Sequence, residues 1–387
     1  MAGLAERLRG PRLPAVLLLV AAAAGLIVAN SPIGPAVIAY SHVHVGIGPV
    51  DLSLGHWVSD GLLAVFFFIV SVELLIELTR GDLRSPRRAL QPAIAAAGGV
   101  MVPIIMYLAF TVGRGPTAGW PIPTATDIAF ALGVLAVFGR GLPSAVRAFL
   151  LALAILDDIV GIVFIAVLYA EGLNVGLFGL ALLCVVAFAL LSRMLGERTR
   201  AGRTLIVILL LLLAVATWVL VLLSGVHATI AGVLLGLAMA QTPAIVTRHA
   251  LEPCVNGLVL PLFAFTAALV AIPAVGWSGL SPAFWGVLVA LPAGKLVGIT
   301  AAGLLAQRFA APGQPRLAFG DLVAAGALGG IGFTVSLLLA NLAFAGESTL
   351  RDEAILAVLC GSLISLLLSA VLVSLRARHH RRMETRS

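Results

Sequence analysis

The chain reads as a series of long apolar runs separated by short polar segments rich in arginine. The runs occupy about residues 13–30, 57–79, 90–112, 121–138, 144–170, 174–193, 203–223, 225–240, 254–275, 284–306, 321–345 and 353–375. A helix needs ~20 mostly apolar residues to cross a bilayer, and most of these runs approach or exceed that length. Those at 121–138 and 225–240 are short, which predicts broken or partly re-entrant helices. Nothing resembles the short alternating segments of a membrane barrel. The pattern predicts an all-α polytopic membrane protein with about twelve transmembrane helices. It would have a cytoplasmic N-terminus at 1–12, a single transmembrane domain over 13–375, and a cytoplasmic tail at 376–387 in which the His379–Arg382 run is solvated.

The arginines orient this arrangement. With the N-terminus inside, Arg114 and Arg351 are the only arginines that fall in outer loops; the others, including Arg87, Arg88, Arg198 and Arg386, fall inside. Basic residues mark the cytoplasmic side, so both termini are expected in the cytoplasm. The first run, preceded by Arg7, Arg9 and Arg12, mimics a signal peptide, but its length and the polytopic context predict an uncleaved first helix. Residues 31–56 are rich in Pro and Gly and alternate through His42, Val43, His44 and Val45. They predict an extended hairpin or irregular extracellular loop, with His42 and His44 as surface histidines.

Composition agrees: the 387 residues are 61% hydrophobic and 11% charged, against about 25% charged in soluble domains. The net charge of +7 lies in clusters between apolar runs, which is membrane topology rather than a nucleic-acid-binding face. Cys184, Cys254 and Cys360 are unclustered and predict free thiols. No bound metal or cofactor is expected.

The candidate chemistry lies inside the apolar runs. Asp157 and Asp158 sit mid-run in LALAILDDIVGI, where one carboxylate costs roughly 2.5–3.5 kcal/mol at the bilayer centre. Adjacent residues on a helix point about 100° apart. One carboxylate can therefore face a cavity and bind a hard cation while the other meets a basic partner. The chain's single lysine, Lys295, lies in another apolar run and is the candidate partner. Burial and mutual attraction act in opposite directions on such groups, so they can exchange protons near physiological pH. Oxygen ligands suit Na⁺ or Li⁺.

Pro121 and Pro123 interrupt helix just before Thr124, Thr126 and Asp127, which places polar groups at a break in the membrane. Thr126 reads either as part of a site or as a helix cap; Asp127 can balance half-helix dipoles. A second interruption is expected around Gly326, Gly329, Gly330 and Gly332. Both interruptions follow a Pro-led helix, with Pro92 or Pro292. Interrupted segments at corresponding positions point to inverted repeats whose discontinuous helices cross at the midplane. Glu73 and Glu77, four apart, share a helix face and read either as a snorkelling cytoplasmic helix end or as a negatively charged mouth that concentrates cations. Asp60 is expected at the outer interface. His227 opens the short run at 225–240, where Gly225 and Gly232 allow close helix contact; it is a candidate pH-responsive group or a simple hydrogen-bonded residue.

At these residues the sequence resembles the NhaA-type sodium/proton antiporters over about residues 13–375. The pieces that carry the resemblance are LLAVFF followed by Glu73 and Glu77, then IPTATDIAFALGVLA, LALAILDDIVGI, SGVHATIAGV, LPLFAF, AGKLVGI and GGIGFTVS. The resemblance implies inverted repeats, an architecture already described for this transporter type. It also implies electrogenic exchange of cytoplasmic Na⁺ or Li⁺ for external H⁺ in the bacterial inner membrane, by alternating access. Asp158 would be the main cation and proton carboxylate, Asp157 the partner of Lys295, and Thr126 and Asp127 residues of the crossing. His227, Glu73 and Glu77 would belong to pH sensing or the cytoplasmic entrance. A homodimer through the 40–56 loop, contact with lipid, and pH and sodium homeostasis are implied as well. Two departures are visible. Leu74, Leu75 and Ile76 stand where some members carry basic residues, and Thr266, Ala267, Ala268 and Leu269 stand where an Asn-Ala-Gly is frequent. The rival readings are a Na⁺- or H⁺-coupled organic-solute transporter, a passive channel and an intramembrane aspartyl protease. The protease needs two facing aspartates, so Asp127 would have to be the second acid.

Overall fold

The computed structural model describes residues 2–48, 50–81, 84–170, 172–196, 200–272, 279–309 and 316–384. Arg198 and Arg386, assigned to the inner side above, lie outside the described residues. Nine described helices are long and apolar enough to span a membrane: Arg12–Ala29, Leu54–Thr79, Ala89–Thr111, Ser144–Leu168, Val175–Arg193, Gly202–Leu223, Gln241–Ala267, Pro282–Phe309 and Ser348–Met383. A tenth span is the pair Phe319–Gly329 and Phe333–Ala343, bent by 47° at its break. The two remaining apolar runs form shorter helical segments, Ile122–Phe138 and Thr229–Ala238. The chain is thus a multi-pass helical membrane protein, with nine single helices and one bent pair among the described residues long and apolar enough to span by themselves. The two runs singled out as short are the two whose helical segments fall below spanning length by themselves.

Three boundaries differ from the sequence expectation. The run expected from 254 begins as helix at Gln241, through the polar segment QTPAIVTRHALEPC. Pro253 removes a backbone donor and crowds the preceding turn. The helix continues because it widens into a π-turn at Val255–Val259, which absorbs the mismatch. A similar widening surrounds Pro292, at Ala290–Gly294. The segment 31–56 contains a helix, Gly34–Ser41, opened by a proline in its first turn, where proline costs no hydrogen bond. Only after it comes the hairpin, with strand His44–Ile47 antiparallel to Val50–Ser53 and Val45 opposite Leu52. Finally, the helix beginning at Ser348 runs on to Glu384, so residues 376–384 of the expected tail are helical. Arg376 Nε lies 2.9 Å from Asp321 Oδ1, and His380 Nε2 lies 2.9 Å from the same oxygen. Those contacts tie the helix to the start of Phe319–Gly329.

Corresponding segments pair antiparallel. Gly98 on the helix Pro86–Thr111 faces Gly298 and Ala302 on Pro282–Phe309, while Pro103 faces Gly294. As one index rises the other falls, which is the geometry an inverted repeat requires. The two backbones approach so closely that a Cβ on Gly298 would strike the Gly98 carbonyl; small residues permit this contact. Gly232 similarly seats the helix Thr229–Ala238 against the Ala64 carbonyl of Leu54–Thr79.

Candidate functional site

The two interrupted segments cross at their breaks. Asp127 N–H donates to Ile331 O at 2.6 Å, and Ser336 Oγ donates to Ile122 O at 2.7 Å. This pairing is also antiparallel. Backbone polarity at the crossing is answered by side chains. Asp127 is extended and caps the helix Ile128–Phe138, its Oδ1 accepting from Phe130 N–H at 3.2 Å. Its other oxygen accepts from Thr334 N–H at 3.1 Å and Thr334 Oγ1 at 2.8 Å, in the first turn of Phe333–Ala343. One carboxylate thus stands at two helix N-termini, where a negative charge is favoured by both dipoles. Thr126 is not the cap. Its hydroxyl has two acceptors in reach, Asp157 Oδ2 at 2.7 Å and Gly329 O at 2.8 Å. With one proton it serves one of them at a time.

The helix Ser144–Leu168 carries both adjacent aspartates into this crossing, facing different ways. Asp157 Oδ2 lies 2.6 Å from Lys295 Nζ, with both side chains completely buried. Lys295 follows directly on the π-turn at Ala290–Gly294, a local change of pitch of the kind frequent at functional sites. Asp157 Oδ1 has no hydrogen-bond partner among the described residues. Asp158, 7% exposed, has no ion-pair or hydrogen-bond partner among them. It lines a cavity of about 390 Å³ together with Thr126, Asp127, Thr334 and Glu73. A cavity-facing carboxylate among two threonines and a second carboxylate is a donor set of hard oxygens. It suits a small cation or a proton.

Glu73 lies in the same cavity, and its Oε1 is 3.1 Å from Arg248 Nη2. Glu77, on the same helix, is half-buried and outside the cavity lining. His227 is elsewhere. It lines a second cavity of about 660 Å³, together with the hairpin-side residues His42 and Ser53. Its Nε2 is 3.1 Å from Asp60 Oδ1, and its Nδ1 is 2.9 Å from Thr229 Oγ1. The structure therefore separates His227 from Glu73, which the sequence had grouped. Asp60, expected at the outer interface, lies in this hairpin-side cavity, 8% exposed and against His227.

Several partners were invisible in the sequence. Thr334 lies within GGIGFTVS, but nothing in the string marks it as facing Asp127, 207 positions away. The Arg248 contact crosses 175 positions. Asp321 opens the apolar run at 321–345; it is 3% exposed and holds both Arg376 and His380. An acid within an apolar run was the sequence signal that could have found it.

Comparison with known proteins gives a consistent result. The family model described as Na+/H+ antiporter 1 matches residues 6–373. A protein of Clavibacter michiganensis named Na(+)/H(+) antiporter NhaA 2 is 58% identical over 97% of this chain and 93% of its own length. One from Tropheryma whipplei, named Na(+)/H(+) antiporter NhaA, is 44% identical over 95% of this chain and 94% of its own.

Proposed function

This chain belongs to the Na+/H+ antiporter family, and we propose that it exchanges cytoplasmic Na⁺ or Li⁺ for external H⁺ across the bacterial inner membrane. Membership makes it a transporter rather than a protease. The observation that carries the finer reading is the unequal placement of two adjacent carboxylates. Asp157 is committed to Lys295, while Asp158 faces the cavity without a hydrogen-bond or ion-pair partner among the described residues. Na⁺ and H⁺ then compete for Asp158. Occupation by either neutralises a charge that is costly to carry through a membrane. Alternating exposure of the occupied site converts that competition into exchange. Thr126 and Asp127 supply neighbouring oxygens, and Lys295 holds Asp157 so that the two acids do not repel freely at one site.

The arginine pattern supports a topology with both termini in the cytoplasm. The cavity lined by Glu73 and Asp158 also includes Arg9 and would open to that side. The cavity at the hairpin, with His227 and Asp60, would open outward. His227, Glu73 and Glu77 remain the candidates for pH response or ion entrance. The exposed Val43 and Val45 of the hairpin region suit a contact between two copies through residues 40–56, with lipid around the remaining apolar surface.

The test uses proteoliposomes with an internal pH dye and clamped membrane potential. Added Na⁺ or Li⁺ should trigger a pH change in the parent protein and none in a well-inserted Asp158→Asn. Undiminished exchange in Asp158→Asn would overturn the assignment.

A further inference from the structure

Among the described residues, three arginines line the cavity that holds Glu73 and Asp158: Arg9, Arg147 and Arg248. Two of them spend their guanidinium groups on backbone. Arg9 donates to His249 O at 3.1 and 3.3 Å, and Arg147 donates to Gly139 O at 3.2 Å. Arg248 alone among these three pairs with a carboxylate, Glu73, at 3.1 Å. The pair is part-exposed, at 28% and 29%, so water screens it. It is also singly bonded. Arg248 Nε is buried without a hydrogen-bond partner among the described residues, whereas a strong Arg–carboxylate pair uses two parallel bonds. A second carboxylate, Glu252, lines the same cavity one turn further along the Arg248 helix. It has His249 Nδ1 at 3.8 Å. Positions 74–76 beside Glu73 are Leu74, Leu75 and Ile76, so the basic partner of Glu73 comes from another helix.

We propose that Arg248 is a tethered cation occupying Glu73 at the mouth of this cavity, and that it sets the apparent affinity for Na⁺ on that side. The proposal rests on the reading of this cavity as the cytoplasmic path. A fixed guanidinium neutralises the carboxylate that would otherwise concentrate cations there. A Na⁺ ion reaching the mouth must compete with a partner that cannot diffuse away. Charged clefts change local ion concentration by tenfold or more. Loss of one charge in a part-exposed pair, screened by solvent and salt, should sit at or somewhat below the lower end of that range.

The experiment measures exchange against Na⁺ concentration in everted membrane vesicles, which present the cytoplasmic side outward. Arg248→Gln should lower the KM for Na⁺ by about three- to tenfold. Arg248→Met should do the same, and Arg248→Lys should stay near the parent value. In a Glu73→Gln background, Arg248→Gln should move KM by less than about twofold, because the occupied carboxylate is gone. An unchanged or raised KM in both Arg248→Gln and Arg248→Met would overturn the proposal. So would an equal drop in the Glu73→Gln background, which would indicate a diffuse field rather than occupancy. Na⁺ binding to the purified variants by calorimetry carries the same expectation independently of turnover. Asp158→Asn measured in parallel tests the exchange mechanism separately, so failure of one idea is told apart from failure of the other.

Discussion

Asp157 Oδ2 and Lys295 Nζ lie 2.6 Å apart, with no solvent exposure of either side chain. Neither charge could persist there alone. Removing one partner from a buried pair typically costs about 3–5 kcal/mol. Lys295→Ala should therefore lower the apparent Tm of the detergent-solubilised protein markedly. The double variant Asp157→Asn with Lys295→Met should recover much of that loss, because it leaves no buried charge unpaired. A double variant no more stable than Lys295→Ala would show that the pair is not what holds the crossing.

Asp127 joins two helix N-termini through three hydrogen bonds. Deleting one of its donors is a milder change than deleting the acid. Thr334→Val should cost about 1–2 kcal/mol, and Asp127→Ala should cost more by leaving both termini uncapped. Thermal unfolding followed by tryptophan fluorescence orders the two variants.

Asp321, Arg376 and His380 tie the final helix to the first half of the bent span. Asp321→Asn weakens both contacts at once. It should make the helix beyond Arg376 cleavable by trypsin under conditions where the parent resists. Equal cleavage rates in the two proteins would contradict a docked C-terminal helix.

Gly98 and Gly298 meet backbone to backbone. No rotamer relieves a side chain placed there, so Gly298→Val forces the two helices apart. Overpacking of this kind costs about 1–3 kcal/mol or more. Folded protein recovered by size-exclusion chromatography should fall sharply for Gly298→Val. It should fall little for Gly179→Ala, where a Cβ meets nothing within 4 Å.

Much of this molecule can be read in one dimension. Apolar run length forces helices across a membrane, since backbone groups in lipid must be satisfied within the segment. Pro121, Pro123 and the glycines near 330 mark the breaks, because those residues alter the backbone locally whatever surrounds them. Asp127, Asp157, Asp158 and Lys295 stand out because an ionisable group in an apolar run is too costly to be incidental. Tertiary structure alone decided who meets whom. Helical periodicity says that Asp157 and Asp158 diverge, but not which one Lys295 reaches across 138 positions. The same limit hid Thr334 beneath Asp127, Arg248 against Glu73 and His227 against Asp60. It also left open where helices end, since helix runs on past Pro253 and Pro292, with π-turns at Val255–Val259 and Ala290–Gly294. Propensity and hydropathy act over a few neighbouring residues. Charge pairing acts through space, and only the packed fold sets those distances.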